Sequence, residues 1–220
     1  MRERPIFFNG DMVRAVLNGS KTQTRRIMKV QPHAGVRNSP FVKSGIEDGH
    51  GKELVCPFGA VGDRLWVRET FATLGNEDGV AIDWDDNLVK GGGREAAHIY
   101  RASCEQRPGN YGLWSIPDDA FWKPHTDNMQ YEGAWVPSIH MPRWASRITL
   151  EITSVRVERL KHVPRDRIIA EGYPAERAAD GGYYDPFLWY RDLWESIYGE
   201  GSWQANPWVW VVEFKRVEGE

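Results

Sequence analysis

The stretch Pro207-Trp208-Val209-Trp210-Val211-Val212-Glu213-Phe214 constrains this chain more than any other. Successive residues of a strand point to opposite faces, and the first half of this run is apolar on both. Such a strand needs cover on each side, so it belongs in the middle of a sheet. Two other stretches supply neighbours. In 64–71, Leu65, Val67, Glu69 and Phe71 share one face, while Arg64, Trp66, Arg68 and Thr70 share the other. In 148–157, Ile148, Leu150 and Ile152 alternate with polar residues; the apolar phase then slips and resumes at Val155 and Val157. A slip of one residue exchanges the faces of a strand, so a bulge or bend is expected near Thr153–Ser154. Pro5–Phe8 reads as a short first strand. The segments near 5–8, 64–71, 148–159 and 208–217 are therefore expected to form one sheet. Strands scattered among helices make the fold class α+β.

The helices follow from caps and spacing. Asp11 is placed as the cap of a helix over 11–18, with Met12, Val13, Val16 and Leu17 on its buried face and Gly19 at its end. Ile27–Val30 is expected to be a strand and His98–Ala102 another. A helix over Pro164–Glu171 stops at Gly172. Asp185-Pro186 starts a further helix, whose stripe of Phe187, Tyr190, Trp194 and Ile197 is read as core packing. Gln31–Gly59 reads as a long loop and 74–98 as an acidic, glycine-rich stretch. Gly109–Tyr131 reads as an irregular excursion. The expected organisation is a single domain over 1–220 with an insertion at about 74–134.

Directly after Gly19 the chain places Lys21, Thr22, Thr24, Arg25 and Arg26 together, and no acidic residue between Ser20 and Val30 neutralises them. That composition suits an anion site or a polarised nucleophile. The net charge of −3 argues against coating duplex DNA by bulk charge. Eleven tryptophans exceed what a core of this size requires, so some are expected to line a groove. Two cysteines without CxxC spacing and six isolated histidines give no metal motif, and no cofactor is expected. Gly91-Gly92-Gly93 lacks the GK[ST] of a phosphate loop, and no GxSxG elbow occurs. No signal peptide or membrane-length apolar run is present, so a cytoplasmic protein without membrane contact is expected. The pattern specifies no oligomeric state. Glu69, on an apolar strand face, must be paired or sit at a mouth; a salt bridge to Arg143 and a catalytic role are the two readings.

The run Gly19-Ser20-Lys21-Thr22-Gln23-Thr24-Arg25-Arg26, a G-x-K-T-x-T-R-R motif after an N-terminal helix, resembles the opening motif of the ASCH domain family. GDRLWVRETF (62–71) and SIHMPRWASRITLEITSVRVERL (138–160) look like the phage and prophage branch of that family. The resemblance implies a small PUA-like β-barrel with flanking helices, acting on or binding RNA or modified nucleosides. It also implies a relation to the bacterial N4-acetylcytidine amidohydrolases, which use a lysine, a threonine three residues later and a glutamate from a following strand. Lys21 and Thr24 match that motif, and Glu69 is taken as the glutamate. Thr24 is then the nucleophile, Lys21 its base, Glu69 the proton carrier, with Arg25 and Arg26 supplying positive charge. Lys21 and Thr24 meet only if residues 21–24 form a turn, because an extended strand sends them to opposite faces. The first alternative is a non-catalytic binding module. It recognises single-stranded RNA or a modified base through Trp66, Arg68, His140, Arg143 and Trp144, with Lys21 and Arg26 on phosphate. The second is a ribonuclease, with Lys21 and Arg143 stabilising a pentacovalent phosphate.

Overall fold

A computed structural model describes residues 1–74, 80–85, 87–104 and 135–217. In chain order the elements are β1 (Glu3–Phe7), α1 (Gly10–Leu17), β2 (Gln23–Ile27), β3 (Val36–Asn38), β4 (Ile46–Asp48), β5 (Arg64–Arg68), β6 (Phe71–Thr73) and β7 (His98–Tyr100). There follow α2 (Arg101–Cys104), β8 (Thr149–Arg159), α3 (Arg165–Ile169), α4 (Ala175–Asp180), α5 (Asp185–Tyr198) and β9 (Trp208–Arg216). The fold is α+β. Five strands form one sheet in the order β1-β5-β8-β9-β2, and the pairs β3-β4 and β6-β7 form two small sheets. Strand β9 pairs antiparallel with β8 and with β2. Bonds from Arg64 N to Arg2 O and from Phe8 N to Arg68 O run in parallel register, so the sheet is mixed. Among the described residues β1 and β2 remain its edges, and the expected barrel is not closed.

The chain divides into two compact units: Met1–Arg4, Ala15–Leu65 and Leu150–Gly219 in the first, Pro5–Arg14 and Trp66–Thr149 in the second. In the first unit β9 is covered on both faces. Val209 and Val211 pack with Leu160, Val163, Ile168, Tyr190 and Trp194, with Ile27 and Phe187 against them. On the other face Trp210, Val212 and Phe214 are buried as well. Ile197, expected in the α5 stripe, is exposed instead. The β8–β9 register shifts between Ile152 and Ser154, at the expected bulge.

The long loop expected over 31–59 contains the β3–β4 hairpin, with Val36 opposite Asp48 and Arg37 paired to Glu47 at 2.7 Å. Its strands are three residues each, too short for alternation to register.

In the second unit Ala72, Leu74, Ile82, Ala97, Ile99 and Trp135 form one cluster, and Phe71, Met141 and Ala145 another. Ile82 thus draws part of the acidic, glycine-rich stretch into a core. The strand expected over 98–102 stops at Tyr100, and the chain turns into α2. The excursion expected at 109–131 lies outside the described residues. The cap of α1 is Asn9, whose Oδ1 accepts from Met12 N at 2.9 Å. Asp11, the expected cap, pairs with Arg14 within the helix at 2.5 Å. No helix among the described residues is long and apolar enough to cross a membrane.

Candidate functional site

The cation-rich run is neither a turn nor a loop. It enters an edge strand one residue pair before β2: Lys21 bridges to Glu171, Lys21 N donates to Ala15 O at 2.9 Å, and Thr22 N donates to Ala170 O at 3.0 Å. Strand alternation then turns Lys21, Gln23 and Arg25 to one face, where all three reach the same carboxylate. Lys21 Nζ donates to Glu171 Oε2 at 2.9 Å and to the Glu171 carbonyl at 2.8 Å. Arg25 Nη1 donates to Glu171 Oε1 at 2.8 Å, and Gln23 Nε2 lies 3.4 Å from the same oxygen. Arg25 Nη2 reaches Glu158 Oε2 at 3.1 Å. Arg156 extends the network by bonding Glu158 at 2.5 Å and Glu213 at 2.6 Å. Arg167 closes on Glu213 from α3.

The end of α3 puts Glu171 in place. Gly172 follows at φ +98°, and a Cβ there would stand 2.8 Å from Ala15 Cβ and 3.2 Å from Lys21 Cβ. Both the left-handed backbone and the missing side chain are needed for this turn to close over Lys21. The Lys21 and Arg25 side chains are fully enclosed and that of Glu171 is 3% exposed. Burial pushes the Lys21 ammonium below its ordinary value; Glu171 opposes the shift, while Arg26 and Arg25 add to it. For Arg25 burial acts in the same direction but is outweighed by Glu171, Tyr190 and Glu158, so its guanidinium is held more firmly charged. Burial, with Glu171 nearby, drives the Tyr190 phenol well above its usual range.

Thr24 lies between Gln23 and Arg25 in β2, opposite Val212, and therefore faces away from Lys21. It is buried. The turn that a lysine–threonine relay requires is absent, and Lys21 and Thr24 are not brought together. Arg26 shares the Thr24 face, opposite Trp210.

Glu69 sits in the second unit, buried just after β5. Its carboxylate receives two bonds from Arg147, Nε at 2.9 Å and Nη2 at 3.0 Å. The Arg147 guanidinium stacks 4.1 Å from the Tyr100 ring centre, and Tyr100 Oη donates to Ala145 O at 2.9 Å. The salt-bridge reading of Glu69 holds, with Arg147 in place of the expected Arg143. Arg143 Nη2 instead donates to Thr149 Oγ1 at 3.2 Å.

The remaining candidates also lie in the second unit. Arg68 stacks between aromatic rings, 5.0 Å from Phe7 and 5.3 Å from Trp66. It also donates to the carbonyls of Met141 and Ile139, at 3.0 and 2.5 Å. Trp144 is 39% exposed, and its ring packs 5.2 Å from that of His98. His140 ends an exposed 3₁₀ turn, Ser138–His140.

Sequence reasoning missed Glu171 and Arg147. A signal for Glu171 was present: the helix expected over Pro164–Glu171 ends on a carboxylate, which opposes the macrodipole and so calls for a cation. The described residues hold no cluster of three or more His, Cys, Asp and Glu side chains placed to bind a metal ion. No family model, curated protein or solved structure matches this chain.

Proposed function

We propose that this chain is an ASCH-type protein of PUA-like fold that binds single-stranded RNA or a modified nucleoside without cleaving it. The observation that carries this reading is a difference in access. Lys21 and Thr24 are enclosed, whereas Trp144 and His140 stand at the surface with Phe7 and Ile139 also exposed. A half-exposed indole and a guanidinium already stacked on rings are the groups on which bases stack without sequence preference, each base contributing about 1–3 kcal/mol. The overall negative charge keeps phosphate contacts few, so affinity is modest and falls with salt.

The test is fluorescence anisotropy with labelled single-stranded RNA at several salt concentrations. Trp144→Ala is expected to weaken binding about tenfold or more, and Lys21→Arg to leave it unchanged in any protein that folds. Equal affinity in wild type and Trp144→Ala, or a preference for duplex DNA, overturns the reading.

A further inference from the structure

The first unit contains a cavity of about 500 Å³ that none of the proposed roles uses. Its lining falls into an apolar body and a charged margin. Ile46, Leu54, Cys56, Val155 and Trp210 contribute the apolar part. Cys56 and Trp210 are buried, the indole rising from β9 and Val155 from β8. At the margin stand Arg2, Arg4 and Lys43, with Glu53 and Asp63 as the acidic members.

The charges are not matched in pairs. Glu53 Oε1 accepts from Ser44 N at 2.6 Å. Asp63 accepts from Arg2 N at 2.8 Å and from Ala60 N at 3.2 Å. Both carboxylates are thus turned to backbone N–H groups, and those bonds hold Asp63 below the usual carboxylate range. Arg4 Nη1 is anchored on Pro57 O at 3.1 Å, while its Nε is buried without a partner. Arg2 and Lys43 are exposed, and no side-chain ion pair ties up the cations of Arg2, Arg4 or Lys43 among the described residues.

We infer that this cavity binds a nucleobase-sized aromatic ring carrying a phosphate. Its volume lies within the range of about 300–1,000 Å³ common to small-molecule sites. An indole wall with aliphatic neighbours takes a planar ring, and the three margin cations, which outnumber the two carboxylates, supply charge-assisted bonds to a phosphate. The same chemistry is presented by a free mononucleotide and by the phosphorylated end of an RNA strand. The cavity belongs to the first unit and the proposed stacking surface to the second, so either assignment can fail alone.

Isothermal titration calorimetry on the full chain tests the site, using adenosine and uridine 5′-monophosphates, the matching nucleosides, and a 5′-phosphorylated tetranucleotide. Mononucleotide binding is expected to exceed nucleoside binding at least tenfold and to weaken with salt. Ala60→Trp, which places an indole at the exposed lip without touching the core, is expected to abolish it. The Arg4→Gln, Lys43→Gln double variant is expected to weaken it about tenfold. Stronger binding of the mononucleotide than of the tetranucleotide assigns the free nucleotide as source, and the reverse order assigns the strand end. Failure of the mononucleotide to bind at millimolar concentration, equal binding of nucleoside and nucleotide, or undiminished affinity in folded Ala60→Trp overturns the inference. The titrations are run in the Trp144→Ala background as well, which removes the stacking surface; disappearance of the mononucleotide signal there assigns it to that surface and overturns the inference.

Discussion

Glu171 and Glu69 are both carboxylates held out of water, one in each compact unit, and they are satisfied in different ways. Among the described residues Glu69 has a single cationic partner, a two-bonded guanidinium backed by the Tyr100 ring, and the Arg147 side chain keeps 25% of its surface in solvent. Glu171 draws on Lys21, Gln23 and Arg25, and both cationic side chains are fully enclosed. The first arrangement joins positions 78 apart in the chain, and losing it leaves a cation that water can reach. The second ties residues 21–25 to the end of α3 across 146–150 positions of chain. Burial of the partners, rather than the presence of a pair, should set the cost of breaking each.

The largest effect is expected for Glu171→Ala, which leaves Lys21 and Arg25 charged and enclosed. Removing one partner of a buried pair costs about 3–5 kcal/mol, so urea unfolding should show a loss of unfolding free energy of that size or no folded protein. Glu171→Gln retains the shape and an acceptor, and a smaller shift there would separate charge from packing. Glu69→Ala comes next, at about 1–3 kcal/mol, because the stranded Arg147 can hydrate. An equal cost for the two alanine variants would break the comparison.

A pH titration of stability sharpens it further. Folding lowers the Lys21 pKa from 10.5, so in the alkaline range below that value the unfolded chain binds more protons than the folded one. Stability contributed through this group therefore rises with pH toward 10.5. On the acid side, burial of Glu158 is outweighed by Arg156 and Arg25 and its pKa falls below 4.5, so its contribution is present above that value and lost as pH drops through the lowered one. Equilibrium unfolding from pH 8 to 10 should show the alkaline rise in wild type and lose it in Lys21→Met, with Glu69→Gln unchanged. The smallest effect is expected for Thr24→Val, about 1 kcal/mol, since the side chain faces Val212 and not the network. A large loss of stability or binding in that variant would mean that the Thr24 face carries more than packing.

Long regular patterns were legible in the sequence. Strand β9 shows its two-sided burial in alternating tryptophan and valine, β8 shows its bulge as a slipped phase, and α5 shows its start in Asp185-Pro186. Even there the chemistry of the start differs: Asp185 accepts from Arg177 and Tyr173 rather than capping the helix. Strand β2 was hidden because Gln23, Thr24 and Arg25 are polar residues that a strand buries only when partners wait for them. Those partners come from Glu158, Arg167 and Glu171, more than 130 positions away, which no local window spans. The pairing of Glu69 was legible as a requirement, and the choice of Arg147 over Arg143 was not, because the two lie four residues apart on an irregular turn.

The bulge in β8 sets which residues meet the buried network. Before it, Ile152 stands opposite Phe214; after it, Ser154 stands opposite Glu213, so the odd and even positions of β8 trade sides at Thr153. Arg156 reaches Glu213 and Glu158 reaches Arg25 only because of that trade. Pairing Thr153 with Glu213 in a ladder without the bulge would act on the strand as a frameshift acts on a message: every later side chain would be delivered to the opposite address. Val155 and Val157 would then face Arg25 while two charges were driven among Trp210 and Val212. Leaving one residue of no chemical distinction unpaired thus keeps charge and apolar surface on separate sides of this sheet.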